Sequence, residues 1–147
     1  MGHLTLVALQ RSYLVVLPPF HAFTVPVQHA LPLRNNIAIF ILPRFEEASF
    51  VKAIETFKIH ATMAVPPILL ALSKQPASKL KSIRNVFVGG SPLPLRVQDE
   101  MYEGLSPEAK ITQVYGMTEV GWTTCWSKES KDRTGSIGQK LAAREMR

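Results

Sequence analysis

Gly116, Thr118 and Glu119 fall within one four-residue stretch, directly after an apolar run at residues 111–115. Glycine lets a backbone approach a ligand with no Cβ in the way. A threonine hydroxyl donates a hydrogen bond to a phosphate oxygen. A carboxylate supplies the hard oxygen that Mg²⁺ prefers, and Mg²⁺ is commonly held by one or two carboxylates together with substrate phosphates. In this order the three residues suit a nucleotide-phosphate site. The same spacing suits a plainer arrangement, a strand ending in a loop and a helix N-terminus, with Thr118 as the cap and Glu119 favouring the helix dipole. Spacing alone leaves both open.

The segments that must position these residues alternate in character. Residues 15–17 read as a short apolar strand stopped by Pro18 and Pro19. Residues 37–42 are apolar without alternation, which predicts a strand buried on both faces. Phe50, Ile54 and Phe57 recur at helical spacing within residues 46–58, which predicts a helix with these three in the core. Residues 62–65 read as the next strand. Pro66 and Pro67 then suit the first turn of a helix over residues 68–73. Residues 85–88 form a further strand closed by Gly89-Gly90, a pair that on its own suits a tight turn. Leu93, Val97 and Met101 share a stripe, so residues 94–102 read as a helix before the strand at 111–115. Residues 122–140 are polar and turn-rich, a loop or small hairpin.

Strands alternating with helices predict an α/β fold with a mainly parallel sheet and right-handed crossover connections. Ligands of such sheets lie outside the carboxyl ends of the strands. The turns at residues 89–93 and 116–119 both follow strands, so both belong at that edge.

The chain has 147 residues, 46% hydrophobic and 19% charged, which suits one globular domain and excludes a disordered one. Its net charge of +6 raises nucleic acid or a membrane surface as a partner. The cations argue against both. Lys79, Lys81 and Arg84 stand among small and apolar residues, and Lys128, Lys131 and Arg133 are interleaved with Glu129 and Asp132. A solvated surface is the better reading, and no nucleic-acid partner is expected. Cys125 is the only cysteine, so no internal disulfide forms, as suits a reducing compartment. Residues 4–9 are apolar but lack the charged flank of a signal peptide. No apolar run is long enough for a transmembrane helix. A cytoplasmic or peroxisomal location is expected, although the terminal Glu145-Met146-Arg147 is no peroxisomal address.

The stretch Gln113-Val114-Tyr115-Gly116-Met117-Thr118-Glu119 closely resembles the QGYGMTE signature of the AMP-forming adenylating ligases, a superfamily that includes acyl-CoA and aryl-CoA synthetases and 4-coumarate–CoA ligase. Val88-Gly89-Gly90-Ser91-Pro92-Leu93 resembles the GGAPL turn of that family. Leu17-Pro18-Pro19-Phe20-His21 resembles its P-x-F-H segment. Val65-Pro66-Pro67-Ile68-Leu69 resembles the start of its VPP helix, and Gly135-Ser136-Ile137-Gly138 resembles its G-S-V-G. The five segments keep the family's order and cover about residues 13–141.

The resemblance implies a two-step reaction of a small-molecule carboxylic acid with ATP and then coenzyme A. It implies that Thr118 contacts the α-phosphate, that Glu119 holds Mg²⁺, and that Tyr115 lies against adenine opposite Gly90-Ser91-Pro92. Gly89, Gln113, Gly116 and Met117 belong to the same implied nucleotide site. His21 is implied at the carboxylate or thioester end of the substrate pocket, against the plainer reading of a local hydrogen-bonding residue. Phe20, Val88, Met117 and Val120 are implied around the acyl group. Trp122 and Trp126 are read as packing or pocket residues. Val114 departs from the family's glycine and is expected to narrow the acyl pocket. Ser91 replaces a common alanine. The family's phosphate loop is not recognisable before His21, and its ribose-binding aspartate and C-terminal lid with a lysine are not recognisable after Gly138. The chain is therefore expected to be the central part of an AMP-binding domain and to be inactive alone, or else a non-catalytic nucleotide- or acyl-binding remnant.

Overall fold

The computed structural model describes residues 11–125, 131 and 134–142. Trp126, residues 4–9 and the terminal tripeptide lie outside them, as do Lys128, Glu129, Asp132 and Arg133. Seven strands are present among the described residues: β1 (Ser12–Val15), β2 (Ala38–Ile41), β3 (Ala61–Ala64), β4 (Asn85–Val88), β5 (Lys110–Met117), β6 (Gly121–Cys125) and β7 (Gln139–Lys140). They form one sheet in the order β2-β1-β3-β4-β5-β6-β7. The first five are mutually parallel, and β6 and β7 add antiparallel. The α/β class with a mainly parallel sheet is therefore what the alternation predicted.

Helices cover the sheet unequally. The helices are α1 (Leu31–Asn35), α2 (Glu47–Phe57), α3 (Pro66–Leu72), α4 (Ala77–Leu80) and α5 (Leu95–Gly104). Phe50 and Ile54 of α2, Ile68 and Leu69 of α3, and Val97 and Met101 of α5 meet Leu14, Val86, Val88 and Ile111 of the strands in the larger core. Phe87, between Val86 and Val88, points the other way, as the two-residue period of a strand requires. It joins Phe23, Val27, Met63 and Val114 in a smaller core on the opposite side.

Several expectations are corrected. The first strand is Ser12–Val15, not residues 15–17, because Pro18 and Pro19 fold into a turn with residues 16 and 17 leading into it. The apolar run at residues 37–42 is not buried on both faces. Among the described residues β2 is an edge strand, and Ile41 is 60% exposed. Phe50 and Ile54 are fully buried, but Phe57 is 49% exposed and stacks on Phe40 at 4.3 Å. It sits at the last residue of α2, where the helical stripe has run past the core. Residues 26–30 form a π-helical turn that runs into α1, neither of which had a clear periodic signal.

Candidate functional site

Among the described residues no helix begins after residue 115. The strand continues through Gly116 and Met117, and Val120 N–H donates to Met117 O at 3.3 Å to close a tight hairpin into β6. The reading of Thr118 as a helix cap is thereby overturned. Thr118 and Glu119 instead stand exposed at the hairpin tip. Gly116 sits where the register between β5 and β6 shifts. A Cβ there would strike the Gly121 carbonyl oxygen and lie 3.1 Å from Trp122 Cα. The glycine is thus a requirement of the hairpin itself.

The turn after β4 has its own constraints. Gly90 adopts φ +87°, a conformation that costs other L-residues. Gly89 is buried, and a Cβ on it would come within 2.9 Å of the Phe23 ring. Gln113, only 5% exposed, ties this turn to a third segment. Its Oε1 accepts the Leu93 N–H at 3.2 Å, and its Nε2 donates to Ser136 O at 3.4 Å. Three segments far apart in the chain meet on one carboxamide.

Two cavities open at this edge. One, of about 230 Å³, is lined by Val88, Gly90, Ser91, Pro92, Gln113, Val114, Tyr115, Gly116 and Ile137. The exposed Tyr115 and the Ser91-Pro92 turn both line it. The other, of about 210 Å³, is lined by His21, Ala22, Phe23, Gly90, Val114, Gly116, Met117, Thr118, Gly121 and Trp122. Gly90, Val114 and Gly116 belong to both, so the cavities meet across the end of β5.

His21 is held in a turn after β1. Its N–H donates to Pro18 O at 3.2 Å, and its carbonyl accepts Thr24 N–H at 2.8 Å. The buried Thr24 hydroxyl lies against both Pro18 O and His21 O. Phe23 N–H donates to His21 Nδ1 at 3.1 Å. With Nδ1 accepting, a neutral imidazole carries its proton on Nε2, which is left to donate. Trp122 lines the same cavity as His21. Its Nε1–H donates to Phe23 O at 2.9 Å, and its ring lies 6.0 Å from Phe23 and 5.8 Å from Phe87.

The structure therefore brings together His21, Gly90, Ser91, Pro92, Gln113, Tyr115, Gly116, Met117 and Thr118 around two adjoining cavities. Gly89 and Glu119 line neither. Phe20, 84% exposed, and Val120 also line neither, while Val88 lines the tyrosine-side cavity rather than the one bearing His21. Phe23 and Ile137 were missed as wall residues, because their roles depend on chain segments far away in sequence. The Glu119 carboxylate has no ionic partner among the described residues, and no cluster of three metal-ligating side chains exists among them. A lone carboxylate fits Mg²⁺ delivered with substrate phosphates and does not make a self-sufficient metal centre. Among the described residues no helix is long and apolar enough to cross a membrane.

A family model described as AMP-binding enzyme matches residues 2–147. The chain is 37% identical over 129 residues to an acyl-CoA synthetase of Alternaria alternata, covering 85% of this chain and 22% of that protein. It is 40% identical over 111 residues to a 4-coumarate–CoA ligase of Humulus lupulus, covering 74% and 20%. Among solved structures it is similar to o-succinylbenzoate coenzyme A synthetase from Bacillus subtilis in complex with ATP and magnesium ion. The TM-score is 0.75 at 25% identity, over 91% of this chain and 28% of that one. The chain thus spans about a quarter or less of the length of these relatives.

Proposed function

This chain belongs to the AMP-binding enzyme family of AMP-forming ligases, and on that premise we propose that it is the central segment of an acid–thiol ligase. The ligase activates a carboxylic acid with ATP and passes the acyl group to coenzyme A. One observation carries the reading: a cavity lined by Tyr115 and the Ser91-Pro92 turn and a cavity lined by His21 and Thr118 adjoin across the end of β5, sharing Gly90, Val114 and Gly116. A molecule with a base at one end and an acyl group at the other would span both.

In the first step a carboxylate oxygen attacks the α-phosphorus of ATP and the bond to pyrophosphate breaks, leaving an acyl-adenylate. In the second the sulfur of coenzyme A attacks the acyl carbon, the thiol proton is lost, and AMP departs. The protein's part is position and charge. Tyr115 and the Ser91-Pro92 turn hold adenine, with Gly90 supplying the turn and Gly89 backing it. Thr118 donates to the α-phosphate. His21 offers Nε2–H to the carboxylate. Glu119 would hold Mg²⁺, which when bound neutralises phosphate charge. Gln113 fixes the wall, and Met117 lines the acyl side.

No lysine or arginine is among the described residues lining either cavity. A single well-placed donor to a developing oxyanion is worth about 3 kcal/mol. The 147-residue chain alone is therefore weakly active or inactive. The test is acid-dependent AMP release by the purified chain and by the longer polypeptide isolated from its own cells. Turnover by the longer form and not by the chain supports the proposal. Robust turnover by the chain refutes the inactivity, and a longer form that makes no acyl-adenylate refutes the ligase. A second reading rests on the fact that this chain alone builds both cavities: a non-catalytic binder of nucleotide or acyl groups. It requires saturable AMP binding with no longer polypeptide in the cell.

A further inference from the structure

Thr24 carries a hydroxyl that neither cavity uses. The residue is fully buried, at 0% exposure, and lines neither of the two. Burying a hydroxyl is costly unless it is hydrogen-bonded, so its partners explain its presence. They lie behind it in the chain. Thr24 Oγ1 stands 2.5 Å from Pro18 O and 2.8 Å from His21 O. One hydroxyl proton serves one of these carbonyls at a time. Nothing is offered forward, since the π-helical turn at Pro26–Ala30 has no side-chain cap.

The turn that Thr24 closes is the one bearing His21. Backbone bonds outline it: His21 N–H donates to Pro18 O at 3.2 Å, and Thr24 N–H and Val25 N–H donate to His21 O at 2.8 and 3.1 Å. The Thr24 hydroxyl is the buried side-chain tie across it, whereas the contact of His29 Nε2 with Pro19 O is exposed. The consequence falls on the His21 ring. Phe23 N–H reaches His21 Nδ1 at 3.1 Å with only one residue between them, a contact that exists only while residues 21–23 keep this turn. His21 lines the cavity it shares with Thr118, and its Nε2 has no hydrogen-bond partner among the described residues. If the turn opened, Nδ1 would lose its donor and a neutral ring could carry its proton on either nitrogen. A ring protonated at Nδ1 presents a lone pair at Nε2, which repels a carboxylate oxygen.

We infer that Thr24 is a positioning residue for His21: its buried hydroxyl holds the turn so that Phe23 N–H stays on Nδ1 and Nε2 stays the donor toward the acyl carboxyl group. The inference rests on the adenylating-ligase reading and adds to it a residue that touches no substrate.

The test uses the purified 147-residue chain labelled with nitrogen-15, with AMP and N-acetylsulfamoyl adenosine as probes. Acetyl is a minimal acyl group, so the choice of acid does not enter. Nuclear magnetic resonance reads which ring nitrogen of neutral His21 carries the proton, the signals being assigned by their loss in His21→Ala. Calorimetry gives the ratio of analogue affinity to AMP affinity. In wild type Nε2 is protonated and Nδ1 is not. Thr24→Val keeps the shape and removes the hydroxyl. It brings the two nitrogen shifts toward each other and lowers the affinity ratio about three- to tenfold, the worth of one neutral hydrogen bond. Thr24→Ser restores both. In a His21→Ala background Thr24→Val leaves the ratio where it is, because Thr24 acts through the ring.

A wild-type ring protonated at Nδ1, or mixed, overturns the inference even where circular dichroism shows that Thr24→Val does not fold. So does a folded Thr24→Val that leaves the ring and the ratio unmoved, or that weakens AMP and the analogue alike. A Thr24→Ser no better than Thr24→Val overturns it as well. In each of these cases AMP binding by wild type leaves the ligase reading standing. A wild-type chain that binds neither probe overturns the nucleotide site and the inference with it.

Discussion

The side-chain oxygen of Gln113 accepts the backbone N–H of Leu93 at 3.2 Å, across the ends of two adjacent parallel strands. The same carboxamide donates to Ser136 O. Gln113→Leu keeps the bulk and leaves the buried Leu93 N–H without a partner, which costs about 1–3 kcal/mol. The urea midpoint should fall accordingly. AMP affinity should fall as well, because the turn lining the tyrosine-side cavity loses its tether. Gln113→Glu keeps an acceptor for Leu93 but sets a carboxylate oxygen against Ser136 O, so it should recover stability only in part. A Leu variant as stable as wild type would show that the bridge contributes nothing.

Gly89 and Phe23 form a matched pair. A Cβ at residue 89 would lie 2.9 Å from Phe23 Cε2 and 3.1 Å from Cδ2, so Gly89→Ala forces the ring to move. Overpacking of this kind costs about 1–3 kcal/mol. The clash is with a side chain, so shrinking that side chain should relieve it. In a double-mutant cycle, Gly89→Ala in a Phe23→Leu background should cost at least about 0.5 kcal/mol less than in wild type. Strict additivity in urea denaturation would exclude the contact as the cause.

Tyr13 gives the fold a dependence on alkaline pH. Burial pushes its phenol above the ordinary value of 10.0, with nearby Arg11 opposing the rise. The folded state thus retains the phenolic proton at a pH where the unfolded chain releases it. Tyr13 therefore adds stability that is fully present below pH 10.0 and is lost as pH climbs through the raised folded value. Tyr13→Phe should flatten the fall in stability above pH 10 relative to wild type, as measured by denaturation at a series of pH values. An unchanged slope would mean that the tyrosine ionises alike in both states.

The parallel core was legible because each strand carried its own signal. Residues 85–88 gave a strand with those bounds, and the Leu93, Val97 and Met101 stripe marked the buried face of α5. The hairpin at Gly116 was not legible. Its cause is the Gly121 backbone five residues on, and a glycine after a strand serves a loop equally well. The edge position of β2 was hidden for a similar reason. An apolar run reports what a strand is fit to contact, and not whether another strand lies beside it. The Thr118-Glu119 pair was legible as a site candidate, but its partners His21 and Trp122 approach only through the packing of Phe23.

Thr118 and Glu119 are adjacent at the tip of one hairpin, yet only Thr118 lines either of the two adjoining cavities. That difference predicts two separable defects. Thr118→Ala removes a hydroxyl from the cavity wall, and a hydrogen bond to a charged phosphate is worth about 1.5–3 kcal/mol. AMP affinity should therefore fall roughly 10- to 150-fold whether or not Mg²⁺ is present. Glu119→Gln keeps the shape and removes the charge. It should leave AMP affinity without Mg²⁺ nearly unchanged and abolish most of the gain that Mg²⁺ brings to ATP binding, since the metal arrives with the phosphates. Calorimetry with AMP and with ATP, each with and without Mg²⁺, separates the two. If Glu119→Gln weakens AMP and Mg-ATP equally, the carboxylate acts on the hairpin's shape, and its role toward the metal is lost. If Thr118→Ala weakens only Mg-ATP, the hydroxyl belongs with the metal and not with the α-phosphate.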